Sequence, residues 1–343
     1  MAQLPLAENT TQNAIFKMYE DRAENAGRPH LGASVIGHDC HRYLWYLFRW
    51  AHIEKHEGRL LRLFETGTLQ EKRLIENLQA AGVMVKAVDE DGEQFAFQSV
   101  GGHFGGSMDG AALGLVEAPK TWHVLEFKTA NGRSFADIAK KGVEIAKPMH
   151  FAQMQLYMGW AILTRAMYIA VNKDNDDIYT ERIEFNKRYF DALVEKAVSI
   201  ISAEIPAIAL GVERTSMPCK WCPMVELCHG TAAPEVSCRT CVHVTPELDG
   251  NARWSCREHG KDLTLAEQRN ACSKHLHIPN LLENFATVKS AGLGSIIYRN
   301  NINPNRTIDQ PTHSSHDITN CEDKSKLGHD YVSDDLITVE IPW

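Results

Sequence analysis

Three residues near the middle of the chain have the types and spacing that metal-assisted chemistry needs. Asp109 sits in the segment SMDGA, and Glu126 and Lys128 sit in LEFKT. Side chains two apart on a strand share a face, so Glu126 and Lys128 point the same way and Phe127 turns toward the core. If the strand bearing Asp109 lies alongside, two carboxylates and one ammonium converge. Carboxylates and water suit hard divalent ions such as Mg²⁺ or Mn²⁺. A cation held there can generate hydroxide and neutralise charge on a phosphate, while the lysine orients the attacking water. Taken alone, the trio also fits a hairpin with one cross-strand ion pair.

Gln153 and Tyr157, in QMQLY, are four apart on a predicted helix and share a face. An amphipathic core helix shows the same pattern. Glu71 follows Gly67 by four residues in GTLQE. By itself it reads as a solvated glutamate paired along a helix.

The chain has nine cysteines. Cys219, Cys222 and Cys228 form C-x₂-C-x₅-C, and Cys40 lies far upstream. Together they could supply four thiolates to one centre, and sequence does not fix its metal. A buried free thiol is the other reading of Cys40. Cys238, Cys241, Cys256 and Cys272 form C-x₂-C-x₁₄-C-x₁₅-C, which fits a tetrahedral structural zinc. His259, His275 and His277 compete with Cys272 as the last ligand, and four cysteines are favoured. Reduced thiols in a small irregular segment are the alternative. Trp254 and His243 are expected to pack that segment's core. Cys321 has no evident partner.

The elements that must position these residues are legible in part. Residues 1–82 look helical, and Arg59 to Ala81 repeats apolar residues at helical spacing up to Gly82. Strand-like runs follow: VMVKAV, QFAFQSV, GGSMDGAALGL and WHVLEFKTA. Helices are predicted at 134–143, 149–163 and 187–204, with strands at 166–172 and 178–185. That order predicts an α/β fold with a mixed central sheet flanked by helices, plus a small cysteine-rich metal-binding module. The expected division is 1–230 for the main domain, 231–280 for the cysteine-rich module and 281–343 for an acidic tail. From Asp309 to Trp343 there are eight acidic residues and two lysines. The alternation in DDLITVEIPW predicts a terminal strand.

Hydrophobic residues make up 44% and charged residues 23%, which excludes wholesale disorder, collagen and coiled coil. A net charge of −8 excludes a uniformly basic nucleic-acid coat, though not a local basic groove. The sequence has no signal-peptide core and no apolar run long enough to span a bilayer, so a cytoplasmic protein without a membrane contact is expected. Between His41 and Ile75, seven Lys or Arg interleave with Tyr43, Trp45, Tyr46, Phe48 and Trp50. Cations with aromatics suit a single strand, and Arg42 and Arg49 are the candidate contacts. For most of this set, core packing and solvated charge are the preferred reading.

The order Asp109, Glu126-x-Lys128, Gln153-x-x-x-Tyr157 resembles the PD-(D/E)XK nuclease superfamily. The last motif is similar to the RecB-like branch, and the resemblance runs over roughly residues 30–230. RecB-like nucleases usually carry histidine where this chain has Glu71; lambda-exonuclease-like members use glutamate there. The resemblance implies a PD-(D/E)XK core with Mg²⁺ or Mn²⁺ held by Glu71, Asp109, Glu126 and the Phe127 carbonyl. It implies that Lys128 positions water, and that Gln153 and Tyr157 border the site, with Tyr157 reaching DNA. Cys40, Cys219, Cys222 and Cys228 resemble the ligands of a 4Fe–4S cluster in CRISPR-associated nucleases, with zinc as the alternative. The implied activity is a DNA exonuclease on single strands or ends, in recombination, repair or spacer acquisition. A recombination or CRISPR-type protein partner would go with it. A non-catalytic nucleic-acid-binding adaptor and a structure-specific endonuclease are the rival readings. The sequence leaves the oligomeric state open.

Overall fold

The computed structural model describes residues 10–24, 26–284, 286–292, 295–301 and 331–335. Helix α1 (Thr11–Arg22) starts at Thr10, whose hydroxyl accepts from the Asn13 N–H at 3.1 Å. The short strand β1 (Leu31–Gly32) and helix α2 (His41–Phe48) follow, then the long helix α3 (Gly58–Ala80). The helical expectation thus holds for these three helices among the described residues, while residues 23–40, apart from β1, and 49–57 form irregular connections.

Strands β2 (Met84–Lys86), β3 (Ala96–Ser99), β4 (Phe104–Ser107), β5 (Gly110–Leu113) and β6 (His123–Ala130) come next. A crossover of α4 (Gly132–Lys141), α5 (Val143–Ala146) and α6 (Pro148–Ala161) leads to β7 (Arg165–Asn172). Strand β8 (Ile178–Glu184) and helix α7 (Lys187–Ser202) complete this part. The central sheet has the order β2-β5-β6-β7-β8. Only β6 and β7 run parallel, and the crossover helices make that possible.

Each face of this sheet is covered. Alternation along β6 sends Leu125 and Phe127 toward α3, where Leu74 joins them with Met167, Ile169 and Val171 from β7. Val124 and Ala130 face the other way, into a larger cluster with Met154, Leu156 and Met158 of α6. The fold is therefore the expected mixed α/β type.

One expected strand divides. GGSMDGAALGL becomes β4, in a small sheet of order β1-β4-β3, and β5, in the central sheet. Gly110 permits the break. It has φ +150, and a Cβ there would come within 2.8 Å of the Lys86 carbonyl oxygen. Asp109 sits at this break, between two sheets.

Beyond α7 the chain is irregular up to α8 (Val225–His229). A sheet of order β11-β10-β9 follows, made of β9 (Val244–Pro246), β10 (Trp254–Cys256) and β11 (Lys261–Asp262), with α9 (Leu265–Arg269) after it. Cys238, Cys241, Val244 and Trp254 belong to the same hydrophobic cluster as α2 and α6, so this segment shares the main core. A last sheet pairs β12 (Ala286–Gly292), β13 (Ser295–Asn300) and β14 (Tyr331–Asp335). Cys321 and residues 336–343 of the expected terminal strand lie outside the described residues. Among the described residues, no helix is long and apolar enough to cross a membrane.

Candidate active site and cysteine clusters

The β5–β6 pairing sets the acidic geometry. Gly110 lies opposite Leu125, which brings Asp109 beside the Glu126–Phe127 peptide. The Phe127 N–H donates to Asp109 Oδ2 at 2.7 Å. Glu126 is 0% exposed, and its Oε1 accepts from Lys128 Nζ. Glu126 Oε2 is buried and has no hydrogen-bond partner. Glu71 enters from α3, on the opposite wall of a cleft of about 390 Å³ lined also by Gln70, Asp109, Lys128, Thr129 and Lys173.

Electrostatics at the cleft follow from burial and crowding. Burial pushes the Glu126 carboxyl up to about 7 against the pull of Lys128, and Asp109 and Glu71 add to the rise. Burial also raises Asp109. Burial and then the charge of Asp109 raise Glu71. Burial alone would lower Lys128, but Glu126 and Asp109 outweigh it and hold the ammonium above its ordinary value. Lys128 is thus a fixed cation, unsuited to accepting a proton.

Among the described residues, no three His, Cys, Asp or Glu side chains close on one point at metal-holding distance. The acidic site nonetheless fits a hard cation by its donors. An anionic oxygen buried without a partner is costly, and Glu126 Oε2 is such an oxygen, close to two further carboxylates. Carboxylate oxygens of this kind are the donors that a hard divalent ion prefers.

Gln153 and Tyr157 stand behind this site. Gln153 Nε2 donates to the Tyr157 hydroxyl at 3.3 Å, and both side chains are buried. A Cβ built on Gly106 would lie 2.8 Å from that hydroxyl, so Tyr157 packs directly under β4. Tyr157 is 2% exposed, which corrects its expected contact with DNA.

Two further expected contacts are corrected for the same reason. Arg49 is 4% exposed and donates to the carbonyls of Val244 at 3.1 Å and Arg239 at 3.4 Å. Its guanidinium lies over Trp45 and Trp254, and burial lowers its pKa to about 10. The Arg42 side chain is 13% exposed and spans to the Ala207 carbonyl at 2.6 Å and to Glu283 at 3.3 Å. Both arginines tie distant segments together, and Trp45, Tyr46, Phe48 and Trp50 are core.

The first cysteine set gathers from the two ends expected. Cys40 is the N-cap of α2, its sulfur accepting from the Tyr43 N–H at 3.4 Å. The Cys222 thiol is raised by burial and by the proximity of Cys40, Cys219 and Cys228. Burial raises Cys228 as well, with Arg42 pulling it down. The second set lines one cavity of about 240 Å³ with His243, His259 and His275. Burial pushes Cys238 up to about 12 and Cys241 up to about 11, with the neighbouring thiols contributing. Cys272 Sγ lies 3.3 Å from His259 Nε2. His275 contacts the Thr240 hydroxyl at 3.1 Å. Burial thus favours the protonated thiols, whereas a bound cation would favour thiolates.

Sequence reasoning missed Gln70, Thr129 and Lys173. Positions 63, 67, 70, 71 and 74 share a helical face, which is the signal for Gln70. Lys173 follows the carboxyl end of β7, where parallel strands place their sites. His150 also went unmarked. It contacts the Tyr168 hydroxyl at 3.0 Å, and burial followed by Lys128 lowers its pKa to about 3.

Among solved structures, the chain is similar to the alkaline exonuclease LHK-Exo from Laribacter hongkongensis, at 16% identity and a TM-score of 0.39. That match covers 54% of this chain and 90% of the other. LHK-Exo in complex with dAMP matches at 16% identity and a TM-score of 0.38, covering 55% and 89%. The protein SSO0001 matches at 14% identity and a TM-score of 0.39, covering 64% and 97%. No protein-family profile and no curated protein matches the chain.

Proposed function

We propose that this chain is a divalent-metal-dependent nuclease with a RecB-like PD-(D/E)XK core, hydrolysing phosphodiester bonds of DNA at single strands or ends. The observation that carries the reading is the meeting of Glu71, Asp109 and Lys128 at one cleft, with Glu126 bonded to Lys128 and its Oε2 buried and unpartnered. Glu71, Asp109, Glu126 and the Phe127 carbonyl are the residues that would hold Mg²⁺ or Mn²⁺. When bound, that ion supplies charge neutralisation and a more acidic water.

The protein's own groups do the rest. The Phe127 N–H fixes one oxygen of Asp109 and leaves Oδ1 for a ligand. Lys128 keeps its proton, so it acts by charge and hydrogen bonding on the attacking water and the phosphate. Gln153 and Tyr157 brace β4 from behind the cleft. The two cysteine sets are assigned to a 4Fe–4S cluster (Cys40, Cys219, Cys222, Cys228) and a zinc (Cys238, Cys241, Cys256, Cys272). Recombination, repair or spacer acquisition would suit such an enzyme.

The test compares linear with circular single-stranded DNA, in Mn²⁺ and in chelator. Linear DNA is degraded only with Mn²⁺, and Lys128→Met and Asp109→Asn each cut the rate by roughly 10²-fold or more. Cleavage of the circle makes the protein an endonuclease. Wild-type protein inert on every DNA and RNA end makes it a binding scaffold.

A further inference from the structure

We propose that the cysteine-rich segment 238–277 positions Asp109, and that Arg239 is the residue through which it acts. The claim rests on the nuclease reading of Asp109.

Arg239 lies between Cys238 and Cys241, yet its side chain leaves the thiols and enters the core, where it is 1% exposed. The guanidinium carbon is 3.7 Å from the Trp50 ring centroid and 4.5 Å from that of Trp254. It donates to the Pro29 carbonyl at 2.8 Å, the Phe48 carbonyl at 3.2 Å and Gln268 Oε1 at 3.0 and 2.9 Å. A planar fork with fixed donors imposes its geometry on every acceptor it holds. Burial without such acceptors would be costly, so these contacts are maintained together.

The Pro29 contact leads to the active site. Two residues on, β1 pairs in parallel with β4, Leu31 beside Phe104 and Gly32 beside Gly105. The Leu31 N–H donates to the His103 carbonyl and the Ala33 N–H to the Gly105 carbonyl, both at 2.8 Å. Strand β4 ends at Ser107, and Asp109 is the second residue after it.

A second grip comes directly from the module. The Ala252 N–H donates to the Gly101 carbonyl at 2.7 Å, and His103 Nε2 donates to the Glu247 carbonyl at 2.9 Å. Gly101 has φ +64, and a Cβ there would approach the Leu248 backbone to 2.8 Å. The turn before β4 is therefore seated against residues 247–252. Arg239 fixes β4 along its edge through β1, and the 247–252 turn fixes its start. The Asp109 carboxylate is aimed between these two grips and the Phe127 N–H.

Two variants of the full chain test this. Arg239→Met keeps apolar length and removes the fork. Gly101→Ala breaks the second grip without touching Arg239 or any thiol. Hydrogen exchange at residues 100–113 should speed up in both, with β7 and α7 still protected. The Mn²⁺ concentration for half-maximal DNA hydrolysis should rise roughly tenfold or more. The rate should recover at saturating Mn²⁺ with KM for DNA unchanged. A loss of folded protein would lower the rate without moving that midpoint. An unchanged midpoint and unchanged exchange in both variants overturn the proposal, and so does exchange that rises uniformly along the chain. If the wild type hydrolyses nothing, the nuclease reading fails, and exchange at 100–113 alone decides the positioning claim.

Discussion

At the scale of residues, the tension lies in Glu126. Burial pushes its carboxyl up to about 7, from an ordinary value of 4.5. A raised carboxyl stabilises the fold fully below its unfolded value, and that contribution disappears as pH rises through the folded value. Above pH 7 the metal-free protein therefore carries a destabilising buried charge, which a cation relieves. Glu126→Gln removes it. Because the same substitution also removes the anion paired with Lys128, the expected signature is the pH dependence: between pH 5 and pH 8 the stability of metal-free Glu126→Gln should rise relative to the wild type by on the order of 1–3 kcal/mol. Mn²⁺ should raise the wild-type melting temperature at pH 8 and leave the variant's unchanged, and the variant should not cleave DNA. Tyr157 offers a contrasting case. Its hydroxyl is buried against Gly106 and Gln153, so Tyr157→Phe should cost about 1 kcal/mol in denaturant unfolding. DNA affinity, measured by anisotropy, should stay the same, because the ring does not reach the cleft.

At the scale of elements, the site was legible where side-chain parity alone decides it. Glu126 and Lys128 had to share a face of any strand, and only the strand bearing Asp109 had still to lie alongside. The α3 periodicity likewise placed Leu74 inward, with Glu71 three residues before it on the same side of the helix. The break at Asp109 was not legible, because Gly105, Gly106 and Gly110 continue an extended pattern without announcing a change of sheet. The buried arginines were not legible either: Arg42 and Arg49 among aromatics look the same whether they hold phosphates or backbone carbonyls, and only tertiary context separates the two. Helix α3 carries its own prediction. Leu74 is buried against Leu125, Phe127 and Ile169. Leu74→Ala should cost about 2–4 kcal/mol. It should also raise the Mn²⁺ requirement, since it loosens the helix that presents Glu71. A chemical melt and a Mn²⁺ titration of activity read the two effects separately.

At the scale of the whole molecule, the two thiol sets act on different parts of the chain. The first brings Cys40 at the start of α2 near Cys219 and Cys222, in the irregular stretch before α8, and Cys228 within α8, and Arg42 ties the same region to Glu283 in front of β12. The proposed centre at Cys40, Cys219, Cys222 and Cys228 would close a very long loop, and cross-links of long loops restrict the unfolded chain most. Cys228→Ser should therefore lower the melting temperature of the entire protein in one transition, without selectively exposing residues 100–113. The metal at this set is decided by purifying the protein without oxygen. Iron with a broad absorbance near about 400 nm identifies the cluster. Bleaching it with chelator and oxidant should then produce the same single-transition destabilisation as Cys228→Ser. A colourless protein with zinc in both sets would assign four thiolates to a redox-inert ion. The loop closure would be the same, the acidic cleft at Asp109 and Glu126 would be untouched, and only the sensitivity of stability to oxygen would be lost.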